Sequence, residues 1–397
     1  MRRKLHIAVI GAGAFGGWAA LHLLEQGAKV TLLDAWGPGN SRASSGGETR
    51  VMRGTYGPDQ PYTEMAARAL TLWRKYERKW KRQMLHRTGV LWMAASRGDE
   101  FERGSVKLLR RARIKFAELS TAQMMKRWPQ INFQEVEWGI YEPECGYLEA
   151  RASCQAVVEA FTASGGTYRQ IAVVPDVLER APMRGLHLSD NSVLKADTYV
   201  FACGPWLGKL FPSAIGDLVL STKQDVFFFG VPAGDRRFSD GNLPVWADHH
   251  FENRPSIENS VGIEKGQTAG RFIYGIPGSG RRGFKVADDT RGPVFDPTTG
   301  ERIVSAETLK SVREYVGFRF PGLQDAPLTE TRVCQYEQTP DGHFIVDRHP
   351  AMENVWLLGG GSGHGFKHGP AVGEMMAELV LKDRKPDAIW RLMRFGN

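Results

Sequence analysis

Apolar residues fall along this chain in two patterns, short unbroken runs and stripes at helical spacing, and their alternation predicts an α/β fold. His6–Ile10 is a short run suited to a buried parallel strand. A helical stripe through Trp18, Leu21, Leu23 and Leu24 follows and stops at Gly27, a natural C-cap. Residues 30–33 form a second run with Asp34 at its end. Residues 62–82 read as an amphipathic helix with Leu70, Trp73, Tyr76 and Trp80 on its apolar face. Val90–Ala94 reads as a strand, and 99–130 as helical with Pro129 as its stop. Residues 152–164 form a helix ended by Gly165-Gly166, and 168–174 and 196–202 read as strands. The last of these runs into Cys203-Gly204-Pro205-Trp206, a strand-to-loop turn of the kind that faces a bound ligand. From 216 to 330 the pattern changes. There 226–229 and Arg271–Ile276 look like antiparallel strands, 232–270 is polar and loop-rich, and 278–300 is rich in Gly, Pro, Asp and Arg. A last run at 355–358 feeds a turn of Gly359, Gly360, Gly361, Ser362, Gly363, His364, Gly365, Phe366 and Lys367. Pro370 then opens a helix with Val372, Met375, Met376 and Leu379 on one face.

The first of these elements carry chemistry. Between strand and helix stands Gly11-Ala12-Gly13-Ala14-Phe15-Gly16, a dinucleotide fingerprint in its required context of strand, glycine turn, helix, strand and acid. Gly11 permits the tight turn, Gly13 lets backbone approach a pyrophosphate, and Gly16 lets helix and strand pack closely. The helix start offers unpaired N–H groups and a positive dipole end to phosphates. Asp34 is placed to accept a ribose hydroxyl. The fingerprint does not itself separate NAD from FAD, but its position at the very start of a long chain favours FAD. The glycine turn at the far end would bring a second set of N–H donors to the same ligand, so the binding domain must be discontinuous. Residues 1–88, 150–215 and 331–397 are assigned to it, and 89–149 and 216–330 to a second domain of mixed or antiparallel sheet.

Composition narrows the class. At 397 residues, 42 % hydrophobic and 24 % charged, the chain has the balance of a soluble protein of two or three domains, not of a disordered or collagen-like one. No run of about 18 uncharged apolar residues suggests a membrane span. Met1-Arg2-Arg3-Lys4 imitates the start of a signal peptide, but glycines break the apolar part, so a cytoplasmic location is expected. Cys145, Cys154, Cys203 and Cys334 are too widely spaced for a metal or redox pair, which fits a reducing compartment. Net charge is +8. The run Arg74-Lys75 and Arg78-Lys79 interleaves with the apolar stripe of one helix, so it reads as a solvated face and not as a nucleic-acid site. A basic protein that draws in an anionic small molecule fits the charge equally well. Neither a nucleophile elbow nor a clustered metal-ligand set is present.

Five segments together resemble a known family. They are Gly11 to Gly16; Gly47-Glu48-Thr49-Arg50-Val51-Met52-Arg53 with Tyr56-Gly57; Tyr274 and Lys285, 11 residues apart; Cys334 with Thr339-Pro340-Asp341; and Ser362-Gly363-His364-Gly365-Phe366-Lys367, whose lysine lies 33 residues past Cys334. From end to end the chain resembles the monomeric sarcosine oxidase branch of the D-amino-acid-oxidase-like flavoproteins. The resemblance implies FAD and oxidation of a primary or secondary amine, the substrate being an amino acid or N-alkyl amino acid. In that chemistry a hydride passes from the carbon next to nitrogen to flavin N5, the imine is hydrolysed, and O2 becomes hydrogen peroxide. By the same resemblance Cys334 bonds the flavin 8α-methyl, the alternative being a buried structural thiol. Arg50 lies over one flavin face, Lys285 activates O2, and Tyr274 lines the substrate cavity, which makes these three the catalytic set. Arg53 and Lys367 hold the substrate carboxylate. His364 is assigned to the cofactor and not to base catalysis. Ala14, Phe15, Ala35, Ser44, Ser45, Thr49, Val174, Gly204, Trp206, Gly361, Gly363, Gly365 and Phe366 complete the expected cofactor contacts. The chain departs from the family pattern at Gly46 and Asp289, where histidines are usual, and Asp289 joins the substrate-binding set because an anion there favours an ammonium group. Arg281-Arg282 and a longer loop between Asp248 and Arg271 shift the expected substrate from sarcosine toward a larger or dicarboxylic amino acid. A dehydrogenase that uses another electron acceptor, and a non-catalytic flavin-binding subunit, are the alternative readings. The expected partners are the small amine and O2, without nucleic acid or membrane, and the expected assembly is a monomer or small homo-oligomer.

Overall fold

The computed structural model describes residues 4–174, 182–251, 271–278, 280, 282–290 and 292–396. Arg281 and most of the loop between Asp248 and Arg271 lie outside them. One half is built on a six-stranded sheet. His6–Ile10 is central, paired in parallel with Lys29–Asp34 on one side and Thr198–Phe201 on the other. Thr167–Gln170 and Met352–Gly359 extend it in parallel, and Ile345–His349 closes one edge antiparallel. Ile7, Val9 and Leu32 are fully buried, as continuous apolar runs require in a sheet covered on both faces. The helix Ala14–Glu25 packs against Ala150–Ala163 and Gly369–Leu381. Close approach to the latter depends on Gly373, where a Cβ would stand 2.5 Å from the backbone of Trp18.

The second half holds an eight-stranded mixed sheet. Its strands run in the order Leu328–Gln338, Leu220–Phe229, Phe284–Asp288, Arg271–Ile276, Val245–Phe251, Val90–Ala94, Trp138–Glu142 and Ala117–Ser120. All neighbours are antiparallel except Val90–Ala94 with Val245–Phe251. Trp246, Phe284 and Phe320 form its core with the helix Ala306–Arg319. A buried ion pair of 2.7 Å ties Arg319 of that helix to Asp248 of the sheet. Leu328–Gln338 crosses residue 331, and its strand partner is Leu220–Phe229 of this second sheet. A small sheet of Thr49–Met52, Gly146–Glu149 and Leu85–His86 lies apart from both.

Residues 99–130 are not one helix. They divide into the helix Glu100–Arg111, the strand Ala117–Ser120 and the helix Thr121–Arg127. Arg113 turns left-handed at φ 56°, which ends the first helix, and a Ser120–Gln123 capping box starts the second. Two strands, Val245–Phe251 and Phe284–Asp288, also run through stretches whose composition suggested loops. Among the described residues no helix is long and apolar enough to cross a membrane.

Candidate active site and cofactor cleft

The glycine turn is built as its spacing demands. Gly11 has φ 105°, and its N–H donates to Leu33 O at 2.7 Å. A Cβ on Gly16 would stand 1.9 Å from Gly11 O and 2.9 Å from Ala202 Cβ, so only glycine allows the helix this close. The Gly13 N-cap supplies no side-chain cap, and the first turn carries no acid, which leaves a positive helix end facing the cleft. Asp34 Oδ2 accepts from Ala12 N at 2.7 Å, and Oδ1 accepts from Trp36 N at 2.9 Å and Gly37 N at 2.7 Å. Burial raises its carboxyl above the usual range while those three amides pull it down.

The turn opens on a cavity of about 300 Å³ at the carboxyl ends of the parallel strands. Gly11, Gly13, Ala14, Phe15, Asp34, Ala35, Ser44, Ser45, Arg50, Gly204, Trp206, Gly361, Gly363, Gly365 and Phe366 line it. Gly16 sits behind the wall as a packing residue. Near Val174 the wall is formed by Ile171, Ala172 and Val173, because the chain leaves the sheet after Gln170. Trp36, Asn40, Thr298, Tyr336 and Glu337 also line it, and sequence reasoning missed them. Trp36 packs on Trp206 with ring centroids 4.9 Å apart, an aromatic pair that no local pattern announces. Two buried atoms next to this space, Ser44 Oγ and Glu337 Oε2, have no hydrogen-bond partner. A glycine-lined groove with an acid-free helix start, whose Ala14 N donates to Ser45 Oγ at 3.1 Å, and with unpartnered hydroxyl and carboxyl groups fits a dinucleotide.

Beyond Arg50 the cleft meets a group of buried charges. Arg50 Nη1 donates to Thr49 O at 2.8 Å, and Nη2 donates to Ser44 O at 2.5 Å and to Cys334 Sγ at 3.3 Å. Lys285 Nζ donates to the same Thr49 O at 3.0 Å and lies 5.8 Å from the Tyr274 ring centre. Burial, with Arg50 beside it, pushes Lys285 down to about 7. Cys334, Arg50, Thr49 and Lys285 thus form one connected cluster.

Tyr56 organises a second cluster. Lys367 Nζ donates to Tyr56 OH at 2.9 Å and to His364 O at 2.8 Å, and the Arg53 guanidinium lies 4.3 Å from the Tyr56 ring centre. His368 Nε2 is 2.7 Å from the same hydroxyl. Burial, then Arg53, holds Lys367 well below the usual lysine range. Burial, then Lys367, pushes His364 down to about 3, so its ring stays neutral. Buried Glu142 fixes the loop that carries Arg53, accepting from Gly54 N at 2.7 Å and from Thr55 Oγ1 at 2.7 Å. Asp289 Oδ1 accepts from Tyr336 OH at 2.5 Å. Burial pushes that carboxyl up to about 6 although the Tyr336 bond opposes the shift. Tyr56 and Glu142 carried no assigned role at the sequence level. Arg282, expected to be open to a second acidic group, is paired instead with Glu330 at 3.0 Å and Glu48 at 3.5 Å.

A dinucleotide cleft with clusters of buried and half-buried cations beside it fits a flavin-dependent oxidoreductase. The chain belongs to the FAD dependent oxidoreductase (DAO) family, whose pattern spans residues 6–379. Its relatives include the monomeric sarcosine oxidase of Bacillus sp. strain NS-129, 28 % identical over 383 residues that cover 96 % of this chain and 94 % of that one. N-methyl-L-tryptophan oxidase of Salmonella arizonae is 24 % identical over 409 residues, covering 99 % of this chain and 100 % of that one. The same fold occurs in L-proline dehydrogenase from P. horikoshii, with TM-score 0.81 at 18 % identity, covering 100 % of this chain and 99 % of that one. It occurs too in glycine oxidase from Bacillus cereus, with TM-score 0.73 at 19 % identity and 96 % of each chain covered.

Proposed function

We propose that this protein is an oxidase of an amino acid or N-alkyl amino acid, with O2 as its electron acceptor. The observation that carries this reading is the pair of cations, half-buried Arg53 and buried Lys367, gathered on Tyr56. Like charges in a desolvated pocket need an anion between them, and a carboxylate supplies one. FAD, when bound, supplies the hydride acceptor and passes electrons on to O2. The residues of the chain bind, orient and tune. Arg53 and Lys367 hold the substrate carboxylate. Asp289 faces the amine and takes its proton, which leaves the nitrogen lone pair free. Tyr274 lines the same space and Tyr336 steadies Asp289. Lys285 places positive charge where reduced oxygen species develop. Arg50 would lie against the flavin ring system when FAD is bound, and Cys334, 3.3 Å from Arg50, would be the side chain that holds the ring covalently. Residues 1–88, 150–215 and 331–397 hold the cofactor, and 89–149 with 216–330 cover it. Gly46 and Asp289 favour a substrate larger than sarcosine.

A panel of amino and N-methylamino acids, read as loss of flavin absorbance without air and as peroxide formed with air, tests this. Bleaching by an amino acid but not by its decarboxylated analogue, with one peroxide per turnover, is the expected result. Bleaching without peroxide reassigns the acceptor, and no bleaching by any amine ends the catalytic reading.

A further inference from the structure

Glu337 is the most exposed contradiction in the cleft wall: a carboxyl group brought inside and left half unbonded. It stands near the end of Leu328–Gln338, three residues past Cys334. Its backbone is anchored, since Ser362 N donates to Glu337 O at 3.0 Å. Its side chain points among glycines. A Cβ on Gly361 would stand 3.0 Å from Oε1, one on Gly359 3.3 Å from Oε2, and one on Gly204 3.8 Å from Oε2. Oε2 is buried and has no hydrogen-bond partner. Burial pushes the carboxyl up to about 7 although the Gly360 and Gly361 amides pull it down. A buried polar atom with no partner is costly, so it marks a place where a ligand completes the bonding.

The position of Glu337 selects which part of the ligand does so. On the FAD reading the adenosine ribose falls to Asp34 and the pyrophosphate to the start of the helix Ala14–Glu25. Glu337 stands with Tyr336, Gly361 and Gly363, on the segments that also carry Cys334 and the far-end glycine turn. A phosphate is a poor partner, because it repels a carboxylate. The part of FAD between pyrophosphate and ring is a polyol, and a hydroxyl donates or accepts, so it satisfies a carboxyl group in either protonation state. We propose that Glu337 is a cofactor-binding residue whose Oε2 is hydrogen-bonded by a ribityl hydroxyl of FAD. This rests on the FAD reading above.

The test uses full-length protein carrying Cys334→Ser, freed of flavin so that binding is reversible. Trp36 and Trp206 in the wall report binding by fluorescence quenching, with FAD and ADP as probes. Glu337→Leu is expected to weaken FAD binding about 10- to 100-fold and to leave ADP within about twofold, since the lost bond lies on the flavin side. Glu337→Gln, which keeps an acceptor oxygen, is expected to stay within about threefold of the parent for both probes. The flavin-free Glu337→Leu protein should unfold at the same or a higher temperature than its parent, because the carboxyl with no partner is gone. Unchanged FAD affinity in Glu337→Leu, equal loss for FAD and ADP, or a fall in flavin-free stability would each overturn the assignment. Failure of the parent to bind either probe would instead sink the FAD reading and the assignment with it.

Discussion

Lys285→Met should make the flavin-free protein more stable and the enzyme worse. Lys285 is buried, and its ammonium is held at about 7 against an ordinary 10.5, chiefly by burial and then by Arg50. Between those two values the unfolded chain binds more protons than the folded one, so stability rises with pH across that window. The penalty is fully present below about pH 7 and vanishes above about 10.5. It amounts to about 4 kcal/mol at pH 7 and about 2 kcal/mol at pH 9. Methionine fills similar volume without the charge but gives up the bond to Thr49 O, worth about 1 kcal/mol. The variant is therefore expected to exceed the wild type by about 3 kcal/mol at pH 7 and about 1 kcal/mol at pH 9. Denaturant unfolding of both flavin-free proteins at several pH values measures this. The narrowing of about 2 kcal/mol between pH 7 and 9 is the decisive quantity, since the hydrogen-bond loss cancels from it. A gap that stays constant with pH, or a wild type that is the more stable at pH 7, would refute the reasoning. In the loaded enzyme the same substitution should leave reduction by substrate largely intact and slow reoxidation by O2 on the order of 100-fold or more.

Three further outcomes are expected. Acid precipitation should leave the flavin on the wild-type polypeptide, with a mass increment at Cys334, and release it from Cys334→Ser; yellow wild-type supernatant would count against attachment. Lys367→Met should lower kcat/KM for amino acids by about 30- to 5000-fold while amines without a carboxylate change little, because a buried charge pair is worth about 2–5 kcal/mol; equal losses for both substrate classes would remove Lys367 from carboxylate binding. Asp289 is raised from 3.8 to about 6 by burial, so the folded protein binds more protons between those values and stability falls by about 3 kcal/mol as pH rises through them. Asp289→Asn should abolish that slope in unfolding measurements and flatten the rise of kcat/KM through pH 6, and a profile identical to wild type would show that Asp289 does not titrate in catalysis.

The parts of the fold that could be read in advance are those whose cause is local. The turn from Gly11 to Gly16 needs glycine for reasons set within a few residues of chain, and Val90–Ala94 and Arg271–Ile276 are apolar runs of strand length. Ala117–Ser120 was hidden because it is a largely exposed strand at the sheet edge, where no apolar alternation marks it. Its one local signal was the Ser120–Gln123 capping box, which divides the stretch into two elements. The site follows the same division. Arg50, Lys285 and Cys334, which the structure clusters, and Arg53 and Lys367, which it gathers on Tyr56, sit in spaced motifs, whereas Glu142 and Glu337 look like ordinary carboxylates along the chain. Only the tertiary fold buries them, one to hold the Arg53 loop and the other in the cleft wall.

The burial of so many cations together has a physical consequence for how the halves must cooperate. Arg50 rides on the small sheet and Lys285 on the large one, yet both donate to Thr49 O, while Lys367, which follows the last parallel strand, meets Arg53 on Tyr56, so separate frameworks press like charges together twice. The strand Leu328–Gln338 belongs to the large sheet, yet it places Tyr336 and Glu337 in the wall of the cleft on which the glycine turn of the other half opens. Repulsion among the cations opposes that assembly, and Glu48 near Lys285, with Asp289 and Glu142 near Lys367, acts against it. On the function proposed above, an anionic substrate and an anionic reduced flavin would supply the opposing charge, and the pocket would bind them with energy that packing has already spent on holding the cations in place.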